Sequence, residues 1–113
     1  MIAAGCGGAA KPAPTQREVQ TIGAAVSDIV TQCQSVAAGF VAGPDATSLR
    51  RDVDVLVRTY DRVRPDARFV LGSSSGVTLA TTPRKELSLA EENLADAGCA
   101  PRQATRLHGA LGG

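Results

Sequence analysis

Thr15 to Pro44 reads TQREVQTIGAAVSDIVTQCQSVAAGFVAGP, and its apolar residues Val19, Ile22, Val26, Ile29, Cys33, Val36 and Phe40 step by 3, 4, 3, 4, 3 and 4. An α-helix turns once in 3.6 residues, so this spacing keeps all seven on one stripe and predicts a long helix with one buried seam. Thr15 and Glu18 form a capping box at its start, each side chain positioned to satisfy a backbone N–H of the first turn. Gly43-Pro44 is the expected stop. Charge is confined to Arg17, Glu18 and Asp28. Val30, Ala37, Ala38 and Val41 widen the apolar face of the uncharged second half, which predicts a central helix touched by neighbours on two sides.

The same period continues outward from this segment. After a cap region at Asp45 to Ser48, the residues Leu49, Val53, Leu56, Tyr60 and Val63 step by 4, 3, 4 and 3, a second amphipathic helix. Its outer face carries Arg50, Asp54, Arg58 and Asp61, opposite charges on adjacent turns that read as a solvated face. Arg64-Pro65-Asp66 ends it. Residues 64–81 are expected to be irregular or a short helical turn, the alternative being a small hairpin around Gly72-Ser73-Ser74-Ser75-Gly76. Thr82-Pro83 then serves as N-cap and first helical residue of a third helix with Leu87, Ala90, Leu94 and Ala97 as seam and Gly98 as stop. Pro101 opens a short final helix carrying Ala104, Leu107 and Leu111.

Composition agrees with this reading. A chain of 113 residues fits one domain, here divided into a flexible tether over 1–14 and a helical domain over 15–112. Tyr60, Phe40 and Phe69 are its only aromatic residues and there is no Trp, so the core has to be built from Val, Leu, Ile and Ala, which suits close helix packing. The longest unbroken apolar run, Val36 to Gly43, is far too short to cross a bilayer. A net charge of +1, with acids and bases interleaved along the chain, gives no electrostatic reason to expect a nucleic-acid partner. Ten of the twelve basic residues are Arg, a usage that goes with GC-rich bacterial genomes.

Three cysteines, Cys6, Cys33 and Cys99, leave one over if two are joined. Helices running up, down and up on short turns place the end of the third beside the upper half of the first. Cys99 and Cys33 are thereby brought within the separation a disulfide requires, whereas in a reducing compartment they would pack as two small hydrophobic residues. The fold expected is all-α: a small up-down-up bundle of three main helices plus a short C-terminal helix, stapled by one disulfide. Cys6 sits among small residues in Ala3-Ala4-Gly5-Cys6-Gly7-Gly8, ahead of Lys11-Pro12-Ala13-Pro14. This stretch resembles the lipobox of bacterial lipoproteins, with Ala3 where Leu is usual. The resemblance implies that Cys6 is the lipid-attachment residue, that a charged and hydrophobic leader lies upstream of Met1, and that the protein is held to a membrane surface outside the cytoplasm. Export and the Cys33–Cys99 pair support each other, because lipidation removes the odd thiol and export supplies an oxidising compartment.

No catalytic constellation stands out. His108 is the single histidine, and the chain offers no nucleophile elbow for it. Glu91-Glu92 and Asp96 read as the solvated face of the third helix, and neither a metal nor a cofactor is implied. The Gly72 to Gly76 loop, with Ser73, Ser74 and Ser75 between, is a weak candidate for an anion or ligand, since Gly76 leads into Val77 where a phosphate loop needs Lys before Ser or Thr. The expectation is a non-enzymatic, envelope-tethered interaction or structural module. The alternatives are a self-associating helical protein and a small ligand-binding or hydrolase domain using the 72–76 loop.

Overall fold

The computed structural model describes residues 11–71 and 79–112. Helix α1 (Gln16–Ala37) is followed by α2 (Ala46–Arg62), a two-stranded ribbon of β1 (Phe69–Leu71) and β2 (Leu79–Thr81), then α3 (Pro83–Ala95), a 3-10 turn at Asp96–Gly98, and α4 (Pro101–Ala110). The helices run alternately up and down, and α1 packs against α2 and α3 and against the strand β1. Its seam is the centre of the core: Val19, Ile22, Val26, Ile29 and Cys33 are buried against Leu49, Val53 and Leu56 of α2 and Leu87, Ala90 and Leu94 of α3. Ala104 and Leu107 of α4 close the far side. The side chain of Ala97 lies outside the described set.

The helix starts follow from local chemistry. Thr15 Oγ1 accepts from the Glu18 N–H at 3.1 Å while Glu18 Oε1 accepts from the Thr15 N–H at 2.9 Å, completing the capping box. Asp45 caps α2 through Ser48 N–H, and Thr82 caps α3 through Lys85 N–H with Pro83 as first helical residue.

The end of α1 differs from expectation. The helix stops at Ala37 rather than running to Gly43-Pro44. Gly39 takes a left-handed φ of 81°, its N–H donates to Val36 O, and Phe40 N–H donates to Ser35 O. Gly39 alone lacks the Cβ that penalises this conformation, so it forms a Schellman cap four residues before the anticipated stop. Phe40 is thereby removed from the seam and stands 84% exposed beside Val41.

A second correction concerns residues 64–81. Residues 64–68 are irregular as expected, but Phe69–Leu71 and Leu79–Thr81 form an antiparallel strand pair, the alternative rather than the favoured reading, with Phe69 opposite Thr81, Val70 opposite Ala80 and Leu71 opposite Leu79. The physical signal is a period of two: Phe69 is buried, Val70 exposed and Leu71 half-buried. β1 lies close on α1. A Cβ on Gly23 would stand 3.3 Å from Leu71 Cδ2, so a larger residue there would require the Leu71 side chain to give by a few tenths of an ångström. Residues 72–78 lie outside the described residues.

Lys11 and Pro12 lie at the end of the bundle where α1 begins. Arg64 N–H donates to Pro12 O at 2.8 Å and Lys11 Nζ stands 3.9 Å from Asp61 Oδ1. This end is called proximal below, and the opposite end, where α1 stops, distal.

Candidate functional site

The distal end is covalently closed. α3 finishes at Ala95, the 3-10 turn follows, and Gly98 at a φ of 66° reverses the chain while Ala100 N–H donates to Leu94 O. This reversal sets Cys99 against the last buried position of α1. Cys33 and Cys99 are joined, with alpha carbons 5.5 Å apart and both residues buried. The bond closes 66 residues of sequence, and in the chain-entropy view such a loop stabilises the fold by about 4 kcal/mol.

Beside the cross-link, α1 and α2 share a polar contact that the sequence reading did not single out. Asp28 Oδ2 accepts from Gln32 Nε2 at 2.8 Å and from Ser48 Oγ at 2.9 Å, and Gln32 Oε1 accepts from the Asp45 N–H at 3.0 Å. Gln32 thus fastens the distal loop to the helix it leaves. The carboxyl of Asp52, one turn along α2 from Ser48, faces that of Asp28. Two carboxyls placed together favour one shared proton over two charges. Burial pushes Asp52 up to about 7, reinforced by the hydrogen bond to Asp28 and by its negative charge and opposed by Arg51. The bond from Asp52 holds Asp28 below the ordinary carboxyl range, with help from Ser48 and Gln32 and against its own partial burial. Asp52 Oδ2 is buried and has no hydrogen-bond partner among the described residues. The available sequence signal was positional. Asp52 lies three residues after Leu49 and Asp28 two after Val26, both at the shoulders of buried seams rather than on outer faces.

α2 and α4 leave a shallow groove of about 550 Å³ between them, lined by Val57, Tyr60 and Ala110 with Arg58, Arg62 and the Asp54–Arg106 ion pair on its walls. It is open along its length, and of its charged walls Asp54 and Arg106 neutralise each other while Arg58 and Arg62 have no ion-pair partner among the described residues. A ligand seated there would remain largely in water, unlike one in an enclosed apolar site.

The remaining candidates of the sequence fall as follows. His108 is exposed on α4 with Nδ1 3.1 Å from Glu91 Oε2 on α3, an interhelical polar pair. Glu92 and Asp96 are exposed. No three His, Cys, Asp or Glu side chains among the described residues are grouped to hold a metal ion. Cys6 and the loop Gly72, Ser73, Ser74, Ser75 and Gly76 lie outside the described residues. Comparison with family models, with curated proteins and with solved structures finds no match. Fold and function therefore rest on the chain itself. The structure joins Cys33 to Cys99 and gathers Asp28, Gln32, Ser48 and Asp52 at one helix contact.

Proposed function

We propose that the chain is a non-enzymatic, extracytoplasmic helical module, held to a membrane surface through a lipid on Cys6 and presenting its distal end to another component of the cell envelope. One observation carries this reading: a buried cross-link between Cys33 and Cys99, which forms and persists in oxidising compartments and is rare where thiols are kept reduced. It accounts for two of three cysteines and leaves Cys6, in its lipobox-like setting, to be removed from thiol chemistry by acylation. An interaction role is supported by the distal tip, where no charged residue occurs between Asp28 and Asp45 and Phe40 and Val41 are exposed. The seams that would have paired between copies are used inside one chain, which favours this reading over self-association through them.

The test is mass spectrometry of the N-terminal peptide from protein recovered from its native membrane fraction. Acylated Cys6 is expected. Protein recovered from the soluble fraction with an unmodified Cys6 would remove the anchor from the proposal.

A further inference from the structure

Acids and bases that alternate along the chain separate in space once the helices are stacked. Arg17 lies in the first turn of α1, at the proximal end, and Arg58 and Arg62 lie in the second half of α2, which runs down beside it. Thr21 of α1 faces Thr59, Arg58 and Arg62 across the groove between these helices, which fixes that adjacency. Arg64 and Arg68 follow α2, Arg84 and Lys85 open α3, and Lys11 precedes α1. All eight are exposed.

Four acids share this end, and each is engaged. Glu18 is bound in the capping box, Asp61 faces Lys11, Asp66 pairs with Arg84 at 3.0 Å, and buried Glu86 Oε2 accepts from Thr81 Oγ1 at 2.9 Å. Arg17, Arg58, Arg62, Arg64, Arg68 and Lys85 have no ion-pair partner among the described residues. Asp54 and Arg106 neutralise each other at the waist. The distal half reverses the sign: Asp28, Asp45, Glu91, Glu92 and Asp96, with Asp52 partly protonated beside Asp28, stand against Arg50, Arg51 and Arg102. The molecule is therefore basic at one pole and acidic at the other, with a total of only +1.

We propose that the basic pole, centred on Arg58, Arg62, Arg64 and Arg68, is an electrostatic docking face for an anionic lipid surface and orients the module with its acidic, Phe40-bearing pole outward. The inference deepens the proposed function and rests on it for the choice of partner. Lys11 and Pro12 lie at this same pole, and the five residues back to Cys6 span at most about 18 Å, so a lipid on Cys6 delivers this end to the bilayer. An acyl anchor on a short tether restrains position but not orientation. Uncompensated arginines facing anionic headgroups supply the orienting torque, each adding about 1 kcal/mol of attraction near such a surface.

The experiment uses the full chain carrying Cys6→Ser, which needs no acylation, in sedimentation with vesicles of phosphatidylcholine alone or mixed with phosphatidylglycerol. Binding to the mixed vesicles is expected, weakening steeply as salt rises, with none to phosphatidylcholine. Changing Arg58, Arg62, Arg64 and Arg68 to Gln should lower partitioning about fivefold for each arginine removed, while Arg50→Gln with Arg51→Gln leaves it unchanged. Circular dichroism on the same variants checks that they remain folded. Equal binding to both vesicle types, equal sensitivity to Arg50 and Arg51, or preference for a polynucleotide over anionic vesicles would overturn the proposal. Because the protein is unacylated, failure here leaves the Cys6 anchor standing, and an unmodified Cys6 in the native membrane leaves this face standing.

Discussion

The two halves of the α1 seam obey one sequence rule and have opposite fates. From Val19 to Cys33 every position of the 3,4 pattern is buried, whereas Val36 is only half-buried and Phe40, next in the same series, is 84% exposed. Period alone tells which residues share a face. Whether that face is covered depends on what the rest of the chain brings to it, and here α2, α3 and the disulfide cover α1 as far as Cys33 and no further. The left-handed Gly39 then turns the backbone out of the helix before Phe40.

Breaking the covered half at its end should have the largest effect. Replacing Cys33 and Cys99 together by Ala is expected to cost about 4 kcal/mol in denaturant unfolding, from loop entropy alone. Within the seam, Ile29→Ala removes a fully buried side chain and should cost about 3 kcal/mol by the same measurement, because the surrounding helices collapse only partly around the cavity. Phe40→Ser lies outside the cover and should shift stability by less than about 0.5 kcal/mol. If Phe40→Ser approached Ile29→Ala in cost, the tip would be packed and the contrast would vanish.

The acid pair sharpens the comparison, because it lies where covered and uncovered halves meet. Folded Asp52 titrates at about 7, above its ordinary 3.8, so the native state holds a proton that the unfolded chain releases. Stability should therefore fall as pH rises from about 4 through about 7. Asp28, held below the ordinary range, acts in the opposite sense and loses its contribution only as pH falls below about 4. Thermal unfolding across this range should show a maximum in mild acid, and Asp52→Asn should flatten the decline toward neutral pH, since an amide donates to Asp28 without titrating. A decline of equal slope in Asp52→Asn would assign it elsewhere. The smallest covered-side effect is at the proximal start, where Thr15→Ala should cost about 1 kcal/mol in thermal unfolding by undoing one side of the capping box.

Much of this architecture was legible beforehand. The buried seams of α2 and α3 and of α1 as far as Cys33, the caps at Thr15 and Thr82 and the Cys33–Cys99 bond all follow from period, punctuation and an up-down-up path. α3 nevertheless ends at Ala95, three residues before the expected stop at Gly98, which instead turns the chain after a 3-10 turn. The sequence misled where two signals competed. Gly39 and Gly43-Pro44 are both helix stops, and the apolar residues between them favoured the later one, yet the earlier of the two ends the helix through the left-handed turn at Gly39. Phe69 to Leu71 is too short for its alternation to outweigh a helical reading until β2 is paired to it. Asp28 and Asp52 were hidden for another reason: neither departs from its own helix pattern, and their chemistry exists only when two helices are side by side. The polarity of the bundle was concealed likewise, since alternating charges along a folded-back chain sort by helix end and not by sequence position.

The most direct measurement is a non-reducing peptide map of the protein isolated from its native cells, alkylated before denaturation and again after. The fold and the location proposed here predict one peptide joining the Cys33 segment to the Cys99 segment, with neither cysteine alkylated. Recovery of both as separate alkylated peptides would contradict the staple at the distal end and, with it, the oxidising address.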